Sequence, residues 1–154
     1  LGLFFGVSSI GYVTGSFLSG RFSAGAGVLR MAFAGTLTST VALIVSLALF
    51  LAGLGTVVTF FGLMFFVAAG YGITLPNATV GMLSVRPHLA GTASGLGGAM
   101  MILGGAALSA YAGAVMVPGA GAERLIAIQL ASSLIGVAGA IFILFRQRAL
   151  AAQS

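Results

Sequence analysis

The sequence predicts an all-α membrane protein with five transmembrane helices. Three observations carry this. Of the 154 residues 60% are hydrophobic and only 5% are charged, where a soluble domain carries about 25% charged residues. The apolar residues fall in stretches of the length needed to cross a bilayer, roughly 20 residues each. These stretches are too long for strands of a transmembrane barrel, and they lack alternation with a period of two. A mean hydropathy of +1.23 leaves more apolar surface than a water-soluble fold of this size can bury.

The elements follow in order. Residues 1–20 form the first span, ending at Arg21. Residues 21–30 are a small-residue turn between two arginines, Arg21 and Arg30, which act as topology anchors. Residues 31–52 form the second span; its Thr36, Thr38, Ser39 and Thr40 can bond back to their own backbone. Gly53 to Gly55 is a tight uncharged turn. Residues 57–83 form the third span, longer than the core requires, as a tilted or kinked helix would be. Pro76 inside it removes one helical hydrogen bond and predicts a kink, and frees the carbonyl of Gly72 for another donor. Arg86, Pro87 and His88 make a basic turn. The fourth span covers residues 91–115, a loop with Pro118, Gly119 and Gly121 follows, and the fifth span covers residues 125–145 before a short tail. The chain opens inside an apolar segment without the n-region or cleavage site of a signal peptide. It is expected to continue an N-terminal part of a longer protein.

Charge predicts orientation. All six basic residues are arginine. With five spans, Arg21, Arg30, Arg86, Arg146 and Arg148 fall on one side and Arg124 on the other, beside Glu123. This asymmetry places the five-arginine side and the C-terminus in the cytoplasm. The arginines are scattered singly, so the net charge of +5 does not form a nucleic-acid patch. Cysteine is absent, which excludes disulfides and thiolate metal sites within this chain. No residue pattern supports a catalytic triad, a metal centre, a phosphate loop or a cofactor, and an enzyme is not expected.

Candidate functional residues are of two kinds. Tyr71, Thr74 and Asn77 are spaced by three and share one face of the third helix. A polar face within a bilayer turns to protein or to water, so these residues either line a cavity or form an interhelical hydrogen-bond cluster. Asn77-Ala78-Thr79 matches the glycosylation pattern, but it lies inside a span. Met100 and Met101 either line an adaptable apolar site or fill a core. The second kind is the small residues. Gly11, Gly15 and Ser19 in the first helix, and Gly91, Gly95 and Ala99 in the fourth, are spaced by four; Gly97 and Gly98 thin the fourth helix further. Such rows allow close helix approach, as static packing or as a sliding interface. The only acid, Glu123, lies in a loop, so a proton-carrying carboxylate within the membrane would have to come from outside this chain.

Three segments bear a resemblance to a known family. They are Gly11-Tyr-Val-Thr-Gly-Ser-Phe-Leu-Ser-Gly-Arg21, Leu75-Pro-Asn-Ala-Thr79, and Arg86-Pro-His-Leu-Ala-Gly-Thr-Ala-Ser-Gly-Leu-Gly-Gly-Ala99. Together they resemble the C-terminal half of a major facilitator superfamily transporter, more narrowly the Bcr/CflA-type multidrug efflux branch. The resemblance spans the whole chain. It implies five of the six helices of the C-terminal half, the N-terminal half of the same transporter as partner, and a multi-pass location in the bacterial inner membrane. It also implies alternating access around a central cavity and proton-coupled export of a small molecule. Under it Gly11, Gly15, Arg21, Pro76, Gly91, Gly95 and Gly98 are helix-packing or gating candidates. One departure is plain: the superfamily loop carries an acid before its arginine, and here Gly20 precedes Arg21. The residues leave two rivals open, a non-transporting membrane subunit that binds partner helices and a same-fold importer of sugars or metabolites.

Overall fold

A computed structural model describes residues 2–116 and 121–151. It contains five α-helices: α1 (Gly2–Ala26), α2 (Val28–Leu51), α3 (Val57–Ser84), α4 (Ala90–Val115) and α5 (Ala122–Ala151), with a single 3-10 turn, Pro87–Leu89, between α3 and α4. No strand occurs among the described residues. Leu1, Pro118, Gly119 and the last residues of the tail lie outside them.

The boundaries follow local chemistry. The expected turn over residues 21–30 is helical apart from Gly27, which sits at φ 89. Ala26 and Val28 flank it, neither of which stops a helix, and Ser23 Oγ donates to the Ser19 carbonyl at 2.6 Å. A glycine at positive φ is therefore enough to separate α1 from α2. Gly53, at φ 73, likewise ends α2. Thr56 then caps α3: its hydroxyl accepts from the Thr59 N–H at 3.1 Å, and the Thr59 hydroxyl accepts from the Thr56 N–H at 2.7 Å. The reciprocal pair satisfies two orphan donors of the first turn. Glu123 lies in the first turn of α5, where a carboxylate complements the helix dipole. The expected tail after residue 145 is helical through Ala151.

Four of the five helices are long and apolar enough to span a bilayer: α2, α3, the segment Pro87–Val115 and the segment Ala122–Arg146. Among the described residues the count differs by one from the five expected. The helix left out is α1, which is long and carries Ser8, Ser9, Thr14, Ser16 and Ser19. Its packing nevertheless sets it at the depth of a span. Gly11 lies against Phe65, Gly15 against Ala69, Ser16 against Gly72 and Ser19 against Asn77. Both residue numbers rise together, so α1 runs parallel to α3, side by side.

Packing is organised around α3. It contacts α1 on one side and α2 on the other, and α2 in turn packs on α5. The α2–α3 pair is antiparallel: Gly35 meets Gly70 and Ile73, and Ser39 Oγ donates to the Val67 carbonyl at 3.0 Å. The α2–α5 pair is also antiparallel, with Thr36 near Gly136 and Thr40 near Ser133. The ends of α1, α3 and α5 and the start of α2 therefore lie together. That end carries Arg21, Arg30, Arg86 and Arg146; Arg124 is at the other.

The interior is the reverse of a soluble core. Buried side chains include Ser19, Ser39, Thr40, Ser46, Asn77 and Ser133, whereas the outside carries Ile102 and Ile135, each 74% exposed. In water this would be untenable; in lipid an apolar exterior costs nothing, and small polar residues serve as helix–helix contacts. The molecule is read as a multi-pass membrane protein on this ground. A compact apolar cluster of Ala42, Leu43, Val67 and Ile126, with Phe50, Phe60 and Leu130 against it, joins α2, α3 and α5 towards the end opposite Arg21, Arg30, Arg86 and Arg146.

Candidate functional site

Pro76 lies in the interior of α3 without interrupting it. The Gly72 carbonyl, which loses its donor to the proline ring, receives the Ser16 hydroxyl of α1 at 3.3 Å. One position further, Asn77 is 3% exposed. Its Nδ2 donates to Ser19 Oγ and to the Ile73 carbonyl, each at 2.7 Å. The carbonyl freed by the proline, through Ser16, and the asparagine amide, through Ser19, thus both hold α3 to α1. The approach needed for these bonds is possible because Gly11, Gly15 and Gly72 have no side chain. A Cβ on Gly11 or Gly15 would run into the backbone of Phe65 or Ala69, and one on Gly72 into Tyr12.

The opposite flank of α3 faces α2. Thr74 Oγ1 donates to the Gly70 carbonyl at 2.9 Å and lies 3.3 Å from Thr36 Oγ1. Thr36 and Thr40 both donate back to their own helix, at 2.9 and 2.8 Å. Thr40 Oγ1 also meets Ser133 Oγ of α5 at 2.7 Å. A line of hydroxyls therefore runs from α3 through α2 to α5. Two buried polar atoms, Ser46 Oγ and Gln129 Oε1, find no partner among the described residues.

This line borders a cavity of about 1670 Å³ at the arginine end of the bundle. Its walls come from the α1–α2 junction, α2, the C-terminal half of α3 and α5 from Ser132 to Leu144. The polar patch of the wall comprises Thr36, Tyr71, Thr74, Asn77, Ser132 and Ser133; the remainder is mostly small and apolar, with Arg30 the only charged side chain. Asn77 also borders a smaller cavity of about 420 Å³ between α1 and α3, so it forms the partition between the two spaces. Tyr71 is 43% exposed and is the most accessible member of the polar face.

The structure thus brings Tyr71, Thr74 and Asn77 to one cavity wall. It does not bring Met100 or Met101 there: both are exposed on α4, at 66% and 57%. Nor do Gly91, Gly95 and Gly98 meet a neighbour, since a Cβ on any of them has nothing within 4 Å. The described part of α4 has no buried residue, and its close contact with α3 is Gly97 on the Met82 side chain. The expected close approach is instead made by glycines of α2 and α3. Gly35 and Gly70 face one another so tightly that a Cβ on either would overlap the other's carbonyl oxygen. Their signal in the sequence was the spacing of Gly35 and Ser39, four apart as in α1. Arg21 is exposed at the arginine end and has no ion pair among the described residues. No cluster of metal-ligating side chains occurs among them.

No protein-family model, curated protein or solved structure matches the chain.

Proposed function

We propose that the chain is part of a secondary active transporter that exports a small molecule by alternating access, with the Tyr71, Thr74 and Asn77 edge of α3 on the transport path. The observation that carries the reading is the cavity of about 1670 Å³, with a polar patch, inside an apolar-skinned helix bundle. It opens among arginine-bearing helix ends, while an apolar cluster of Leu43, Val67 and Ile126 joins the same helices at the other end. One-sided access is what a transporter resting in a single state presents. The resemblance of the Gly11–Arg21, Leu75–Thr79 and Arg86–Ala99 segments to the Bcr/CflA-type branch of the major facilitator superfamily agrees with it, and gives the bacterial inner membrane, a cytoplasmic C-terminus and proton coupling. The coupling carboxylate belongs to another part of the protein on this reading.

The test uses the absence of cysteine in this chain. In the protein reconstituted in vesicles, Tyr71→Cys is expected to react with a water-soluble thiol reagent. Ethidium or Nile red, whichever the vesicles transport under an imposed pH gradient, is expected to slow that reaction. Met101→Cys should show no such protection. Equal rates at position 71 with and without transported dye would remove the α3 edge from the path.

A second reading is favoured by one observation, the uncovered face of α4. On it the chain is a membrane subunit that binds partner helices without transporting. Neither dye would then move under any gradient, while a partner would remain bound on purification.

A further inference from the structure

We propose that the large cavity is a binding site for an anionic phospholipid, the acyl chain lying between α2, α3 and α5 and the phosphate at Arg30. The proposal does not require that the protein transports.

Size argues first. At about 1670 Å³ the cavity exceeds the roughly 300–1000 Å³ of ordinary small-molecule pockets. Much of its wall is built from short side chains such as Ala32, Gly81, Gly136, Gly139 and Ala140, beside the hydroxyls of Thr36, Thr74, Ser132 and Ser133, which leaves a wide, mostly apolar channel. No residue of α4 contributes to the lining, so this helix does not stand between the channel and the bilayer.

Charge argues second. Arg30 is in the wall itself. Arg86 directly follows Val85 of the wall, and Arg146 lies two positions beyond Leu144 of the wall. Arg30 is thus the guanidinium of the wall, and Arg86 and Arg146 stand at the same end of the bundle. The chain holds a single acid, Glu123, in the first turn of α5. About 35 Å of helix separates it from Arg146 at ~1.5 Å per residue, so it cannot neutralise the mouth. Guanidinium forks bind phosphate bidentately, and basic pockets between transmembrane helices take anionic headgroups. A mostly apolar channel with the unneutralised Arg30 in its wall complements an amphiphile with a phosphate head and a hydrocarbon tail, at the depth where such a molecule already resides.

The test compares phosphatidylglycerol with phosphatidylcholine, counting lipids retained on the intact protein by native mass spectrometry after delipidation and titration. Phosphatidylglycerol is expected to bind more tightly. Arg30→Gln should weaken it roughly fivefold, the factor expected for one arginine near a phosphate, and leave phosphatidylcholine unchanged. Gly139→Leu places a side chain in the channel at a position where a Cβ touches nothing, and should reduce binding of both lipids. Soluble glycerol phosphate should not compete, because it lacks the tail; competition by it would mean a free-phosphate site and would overturn the lipid assignment. Equal affinity for the two lipids, or an unchanged Arg30→Gln variant, would also overturn it. So would a thermal stability that falls for Gly139→Leu in both lipids with no phosphatidylglycerol preference, since a protein helix would then be the occupant.

Discussion

At the scale of single residues, the informative pair is Asn77 and Ser19. Both are 3% exposed, and the amide and the hydroxyl lie 2.7 Å apart across the α1–α3 contact. Interhelical hydrogen bonds in membranes contribute about 0.6 kcal/mol on average and up to about 1.7 kcal/mol, because the separated helices find other partners for the same groups. Asn77 also keeps a bond to Ile73 within its own helix, and Ser19 keeps one to Ser23 at 3.3 Å. Each group is thus only half dependent on the other. Asn77→Leu and Ser19→Ala are each expected to cost about 1 kcal/mol, leaving protein levels near normal. The double variant should cost less than the sum, because the shared bond is lost once. Detergent-unfolding titrations of the four proteins measure the coupling; strict additivity would mean that the bond contributes nothing to holding α1 on α3. A fall in transport by Asn77→Leu that exceeds this loss of stability would assign the residue a role in the path as well.

At the scale of elements, α1 and α4 carry rows of small residues that look alike in the sequence and are used differently. Gly11 and Gly15 are in backbone contact with α3, whereas Gly91, Gly95 and Gly98 face open space. Spacing fixes which residues share a helix face but says nothing about what that face meets, and this is why the two rows could not be told apart beforehand. The same limit hid Gly35 and Gly70, whose closeness depends on how two helices pair. Gly15→Leu is expected to separate α1 from α3, since the obstacle is the backbone of Ala69 and cannot rotate away. Overpacking of this kind costs about 1–3 kcal/mol, so folded yield and melting temperature should both fall. Gly95→Leu meets no atom among the described residues and should leave the melting temperature unchanged, unless a further helix covers α4. Parallel melting curves of the two variants decide the matter: a large loss at Gly95 shows that α4 is an interface, and no loss at Gly15 contradicts the α1–α3 contact.

At the scale of the whole molecule, helix number and the arginine-rich end were legible from the chain, because length, hydropathy and charge are local properties. The cavity was only partly legible. Tyr71, Thr74 and Asn77 share one face by helical spacing alone, but Ser133 joins them through Thr40, a partner 93 positions away, and Ser132 enters only once α5 is folded against α2. The arginine asymmetry then becomes a topological statement. Arg21, Arg30, Arg86 and Arg146 lie at one end of the bundle because α1, α3 and α5 all finish there and α2 begins there; Arg124, beside Glu123, starts α5 at the other. Arginines near short loops are retained on the cytoplasmic side. The parallel packing of α1 on α3 means that this assignment does not depend on whether α1 meets the hydropathy of a span by itself. Reporter fusions after Arg86 and after Ser154 should therefore both give a cytoplasmic signal, and a fusion within residues 116–121 an external one. An external signal at Arg86 or Ser154 would invert the bundle and place the arginine-rimmed cavity on the outer face, where neither the export reading nor an inner-leaflet phospholipid fits.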